Sequence, residues 1–159
     1  MASSDLAELI KLMERTGKTL SLAESCTGGL VSSMITTVQG VSSFFKGSAV
    51  TYSDSSKINV LNVHPKTLER YGAVSAETAK EMAAGAMDVF DSDVSAAVTG
   101  FASASALNGD LGLVFIAVCC NGKMSISENR FKGSRKNIQK AAAEKVISDI
   151  LELFEQENV

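Results

Sequence analysis

One histidine, one proline and no tryptophan occur in 159 residues, and these scarcities narrow the chemistry first. A Ser-His-Asp triad would have to use His64, which lies just before Pro65 in a polar turn and reads as a surface residue. The three cysteines, Cys26, Cys119 and Cys120, are an odd number without metal-ligand spacing, and one histidine is too few to complete a Cys/His zinc site. Cys119 and Cys120 are neighbours in an apolar run, so they face opposite ways and are expected as buried free thiols rather than a disulfide. No basic run is present and the net charge is −3, which argues against a general nucleic-acid or membrane-surface partner. No apolar stretch approaches the roughly twenty residues that span a bilayer. The opening Met-Ala-Ser-Ser-Asp-Leu has the character of neither a signal nor a transit peptide, and a reducing cytoplasm is the expected location. Neither a Gly-x-x-x-x-Gly-Lys phosphate loop nor a Gly-x-Gly-x-x-Gly turn occurs.

What is present is an ordinary globular composition, 45% apolar and 21% charged, expected to fold as one domain over 1–159. Leu6, Leu9, Ile10 and Met13 predict an amphipathic helix over 6–15, capped by Ser4 or Asp5 and ended by Gly17. A strand is predicted over 19–23 and a helix over 28–38, where Leu30, Val31, Met34, Ile35 and Val38 repeat at three and four. Residues 48–52 read as a second strand, followed by a short helix through Leu61 and another that starts at Pro65, a position proline tolerates. Ser75 opens an alanine-rich helix to Phe90, whose small side chains suit close packing on a sheet. Strands follow over 93–99 and 112–120. Asn121-Gly122 is a two-residue hairpin signal and implies an antiparallel strand over 124–131. A last helix covers 134–154. Strands alternating with helices, closed by one hairpin, predict an α/β fold: a three-layer α/β/α sandwich with a mixed, mostly parallel sheet. The alanine-rich helix also leaves room for a homo-oligomer.

The stretch 20–30, Leu-Ser-Leu-Ala-Glu-Ser-Cys-Thr-Gly-Gly-Leu, places small hydroxyls between a strand's carboxyl end and a helix's amino end. Free backbone N–H groups favour negative charge there, although Thr27 serving as a plain helix cap explains the pattern equally well. A serine nucleophile is activated either by histidine or by a lysine kept neutral through burial. Ser25 and Lys57 follow two different strands; if these are parallel neighbours, both residues reach the sheet edge where α/β ligands bind. Thr99-Gly100 ends a third strand and is expected at the same rim. Backbone donors near Gly28, Gly29, Thr99 and Gly100 are the candidate oxyanion hole. Cys26 is a rival nucleophile, but as the next residue it points away.

The run Ala23-Glu24-Ser25-Cys26-Thr27-Gly28-Gly29-Leu30 resembles the signature of the CinA carboxyl-terminal domain family, the nicotinamide-nucleotide amidohydrolases. The similarity continues through residues 40–47, 50–57, 71–75 and 97–100 and covers nearly the whole chain. It implies cofactor-free and metal-free hydrolysis of the carboxamide of nicotinamide mononucleotide (NMN), giving nicotinic acid mononucleotide and ammonia. The partner implied is a small pyridine nucleotide. By motif, Ser25 is the nucleophile, Lys57 its general base and Tyr52 a helper hydroxyl. The expected substrate-binding set is Glu24, Thr27, Gly28, Gly29, Ser42, Thr99, Gly100 and Arg135, with Arg135 suited to a phosphate. Two positions depart from the family pattern. Residues 102–112 replace a glycine-rich loop and look about two residues shorter, and Gln139 stands where a second arginine is usual. A nucleotide-binding module without turnover, or an amidohydrolase of another small amide, remain alternatives on those grounds.

Overall fold

The computed structural model describes residues 4–103 and 110–157. Among them are six α-helices and five strands: α1 (Ser4–Thr16), β1 (Leu20–Glu24), α2 (Leu30–Thr36), β2 (Phe45–Val50), α3 (Asp54–Leu61), α4 (Pro65–Tyr71), α5 (Ala76–Phe90), β3 (Val94–Gly100), β4 (Leu113–Cys120), β5 (Lys123–Arg130) and α6 (Arg135–Glu157). The strands form one sheet in the order β2-β1-β3-β4-β5. β1 pairs parallel with both β2 and β3, and β4 pairs antiparallel with β3 and β5. Four of the five strands therefore point the same way, as the alternation of strands and helices predicts. Asn121 and Gly122 both take positive φ (52° and 74°), the geometry a tight hairpin requires.

The period-two alternation of the strands separates two cores. Leu20, Leu22, Val94, Ala96, Val98, Val114, Ile116 and Val118 face α1, α2 and α6. Ala23, Ala97 and Ala117 face the α3, α4 and α5 side, where Ala79, Ala83 and Ala86 of α5 are fully buried against them. Alanine on both surfaces brings α5 close to the sheet. It also lies close to α3: a Cβ on Gly85 would sit 2.0 Å from the Leu61 carbonyl oxygen, so only glycine fits there.

Three element boundaries differ from the sequence reading in ways that matter for the site. α2 starts at Leu30 rather than residue 28 because Gly28 and Gly29 adopt φ of 60° and 100°, outside the helical region. β1 extends to Glu24, which pairs with Val50 and Val98 on either side. β2 starts three residues earlier than expected and ends at Val50, leaving Thr51 and Tyr52 beyond the strand. The loop expected to complete the pocket falls partly on residues 104–109, which lie outside the described residues.

Candidate active site

β1, β2 and β3 are parallel neighbours, so their carboxyl ends share one sheet edge, with β1 central. Ser25 directly follows β1 and its amide donates to the Val98 carbonyl of β3 (3.0 Å). On the other side, the Thr51 amide donates to Glu24 O (2.8 Å). The Ser25 turn is thus held from both flanking strands. α3 begins immediately after β2; Ser53 caps it, accepting from Ser56 N (3.1 Å), in a reciprocal capping box with the Ser56 hydroxyl. Lys57 sits in the first turn of this helix, and its side chain leans back toward the sheet edge.

Lys57 is 1% exposed. Its Nζ lies 3.0 Å from Ser25 Oγ, 2.8 Å from Thr51 O and 3.5 Å from Tyr52 O. Burial pulls its pKa below that of an ordinary lysine, partly offset by the negative charge of Asp54. In the neutral state the amine has two N–H donors and one lone pair. The two carbonyls accept the donors, which leaves the lone pair for the Ser25 hydroxyl. Cys26 is buried and its thiol is pushed up to about 12, chiefly by desolvation. It stays protonated at neutral pH and lacks the thiolate a nucleophile needs.

Glu24, expected to touch substrate, is 0% exposed. Its Oε2 accepts from Thr27 Oγ1 (2.7 Å), Gly29 N (3.0 Å) and Val31 N (3.1 Å), while Oε1 accepts from Ser32 N (2.8 Å) and Ser48 Oγ (3.3 Å). The side chain satisfies the amino end of α2 and ties the turn together, so the role of Glu24 and of the Thr27 hydroxyl is to shape the loop. The expected oxyanion donors need a similar correction. The Gly28 amide donates to Ser25 O and the Gly29 amide to Glu24. Within the turn 25–29, the amides that donate to no other described residue are those of Cys26 and Thr27. Thr99 is buried and its hydroxyl donates to Ala73 O (2.8 Å). Gly100 is required by packing, since a Cβ would lie 2.6 Å from a Val114 methyl and 2.8 Å from Leu113 O. Both residues stand at the same rim as Ser25 but are occupied there.

Ser42 is not brought to the site. It is exposed, in a short 3-10 turn (Val41–Ser43) that precedes β2. Six strand residues, about 20 Å of extended chain, separate it from the sheet edge that carries Ser25. Tyr52 and Arg135 do meet: the Arg135 guanidinium donates to the Tyr52 hydroxyl (2.9 Å), and Tyr52 is 62% exposed. This pair forms an open rim with cationic character. His64 caps α4, its Nδ1 accepting from Lys66 N (3.2 Å).

Two participants lie outside the expected site residues. Thr51 supplies the carbonyl nearest Lys57, and its own buried hydroxyl has no partner among the described residues; nothing distinguishes it in sequence from a strand-forming threonine. Gln139 of α6 donates from Nε2 to the Cys26 carbonyl (2.9 Å). Its only sequence signal is that glutamine replaces a family arginine. Among the described residues, no helix is long and apolar enough to cross a membrane.

A family model of the CinA C-terminal domain matches residues 3–154. A CinA-like protein of Petrotoga mobilis is 40% identical over 147 residues, 91% of this chain and 36% of the relative. A putative competence-damage inducible protein of Bacillus subtilis is 42% identical over 155 residues, 97% of this chain and 37% of the relative. The chain thus spans about a third of the length of the curated relatives it matches. Among solved structures, a competence-damaged protein (CinA) superfamily protein from Escherichia coli superimposes with a TM-score of 0.92 at 30% identity, over 96% of this chain and 90% of that one. A competence/damage inducible protein from Agrobacterium tumefaciens gives 0.90 at 32% identity, over 96% and 98%. Together these likenesses identify the chain as a member of the CinA C-terminal domain family.

Proposed function

We propose that the chain hydrolyses the carboxamide of NMN to nicotinic acid mononucleotide and ammonia, with Ser25 as nucleophile and Lys57 as general base. The observation that carries this reading is the buried Lys57 Nζ 3.0 Å from Ser25 Oγ, with its two other contacts taken by backbone carbonyls. The Ser25 proton passes to the Lys57 lone pair while Oγ bonds to the carboxamide carbon. Negative charge then develops on the carbonyl oxygen, where the Cys26 and Thr27 amides are free to donate. Collapse expels ammonia, which takes the proton back from Lys57. Water, activated by the same amine, hydrolyses the acyl-serine and restores the hydroxyl. Arg135, held by Tyr52 at the rim, suits the substrate phosphate.

The test is ammonia release from millimolar NMN beside Ser25→Ala and Lys57→Met. Release by the wild type, and its loss in both variants with the fold intact, is expected. No release by the wild type overturns the reading. The same Ser/Lys pair acting on a different small amide is a second reading, favoured by Gln139, whose amide is engaged with Cys26 at a position where the family has a cation. A panel of small amides in which NMN is the best substrate would exclude it.

A further inference from the structure

The Cys26 carbonyl belongs to the same planar peptide unit as the Thr27 N–H. Gln139 reaches that carbonyl from α6, 113 residues away in sequence, with a 2.9 Å hydrogen bond. Because carbonyl and N–H point oppositely across a trans peptide, fixing the carbonyl toward α6 also fixes where the Thr27 amide points. The Gly28 amide closes the turn around this peptide by donating to Ser25 O, but among the described residues no other hydrogen bond reaches the peptide unit itself: the Thr27 amide donates to no other residue, and the Thr27 side chain is engaged with Glu24. One helical turn earlier on α6, Arg135 binds the Tyr52 hydroxyl. Positions four apart share a helix face, so α6 grips the nucleophile turn and the rim with one face.

Resting on the Ser/Lys reading above, we infer that Gln139 is a positioning residue: it orients the Cys26–Thr27 peptide as an oxyanion donor and ties that peptide to the anion-binding end of α6. Gln139 itself donates to the protein and touches no reacting atom. Its loss therefore impairs the bond-forming step and leaves substrate capture largely intact. An arginine at this position also carries N–H donors that the same carbonyl can accept.

The experiment compares Gln139→Ala, Gln139→Glu and Gln139→Arg with the wild type by two readouts. The first is the split between kcat and KM for ammonia release from NMN. The second is the rate of covalent labelling by an alkyl fluorophosphonate, in which the Ser25 Oγ–P bond forms, the P–F bond breaks, fluoride leaves and the proton passes to Lys57. Removing an oxyanion donor outright typically costs 10²–10³ in kcat; mispositioning one is expected to cost about tenfold. Gln139→Ala should lose about that factor in kcat and in labelling rate, with KM within about twofold. Gln139→Glu, which places a carboxylate against a carbonyl, should lose more, and Gln139→Arg should restore most of both rates. Wild-type kcat and labelling in Gln139→Ala, or a loss confined to KM, overturns the inference and leaves the Ser/Lys reading standing. A wild type that neither releases ammonia nor labels at Ser25 overturns both.

Discussion

At the scale of single residues, the site depends on a lysine placed where its charge is poorly solvated. Because burial lowers the Lys57 pKa, the neutral amine accumulates at a lower pH than the ordinary value of 10.5 allows. The pH profile of kcat/KM is therefore expected to rise through an apparent pKa below that value, as initial rates across pH 6–11 would reveal; a midpoint at or above 10.5 would contradict it. The same shift links to stability. Between the depressed folded value and 10.5, the unfolded lysine binds a proton that the folded one has released, so stability contributed by this group increases with pH through that window. Denaturant titrations of wild type and Lys57→Met over that range should differ in slope with this sign. Glu24 makes the opposite case, an acidic residue whose hydrogen bonds to the described residues are all structural. Glu24→Gln turns one acceptor oxygen into a donor facing amide and hydroxyl donors, and about 2–3 kcal/mol of stability should be lost in chemical denaturation. In sequence, Glu24 and Ser25 look equally functional because both lie in one motif. The side-chain alternation that sends Glu24 under α2 and leaves Ser25 beyond the strand becomes visible only once β1 is known to include residue 24.

At the scale of elements, the periodic signals were legible and the irregular ones were not. The apolar repeats of α1, α2 and α6, the alanine face of α5 and the Asn121-Gly122 turn all announce their elements, because each reports a burial or backbone requirement that neighbouring residues repeat. The boundary between the Ser25 turn and α2 was misjudged because two glycines sit inside a continuous apolar period, and only their positive φ removes them from the helix. Ser42 shows the same limit: a motif contiguous with β2 in sequence is carried by that strand to the other end of the sheet. Close approach between helices is likewise invisible in sequence, yet it bears on where Lys57 sits. Gly85 lies against the last residue of α3, the helix that carries Lys57. Gly85→Ala should cost about 2 kcal/mol and lower kcat as α3 is displaced. Gly122→Ala, where a Cβ meets nothing but φ is +74°, should cost about 1 kcal/mol and leave kcat unchanged. Thermal melts with parallel assays would separate the two, and an equal kcat in both variants would show that the α3–α5 contact does not place the lysine.

At the scale of the whole molecule, convergence on one sheet edge was readable because parallel neighbours deliver their carboxyl ends together, whatever the loops do. Long-range closure was not readable: Gln139 meets Cys26 and Arg135 meets Tyr52 across 113 and 83 residues, and nothing local in those residues announces the pairing. These contacts join α6 to the Ser25 turn and to the segment after β2, so a ligand that engages the rim binds only when the layers are assembled. Binding should therefore stabilise the fold as a unit. In Ser25→Ala, which lacks the proposed nucleophile, the melting midpoint should rise with NMN concentration, because a ligand bound only by the folded chain adds RT ln(1 + [L]/Kd), about 2.7 kcal/mol at a hundredfold excess over Kd. Adding Arg135→Ala should flatten that dependence while changing the ligand-free midpoint little, since Arg135 is exposed. A midpoint that rises with NMN equally with and without Arg135 would move the phosphate contact elsewhere on the rim; no rise in either would remove NMN as the ligand while leaving the Ser25–Lys57 pair free to serve another amide.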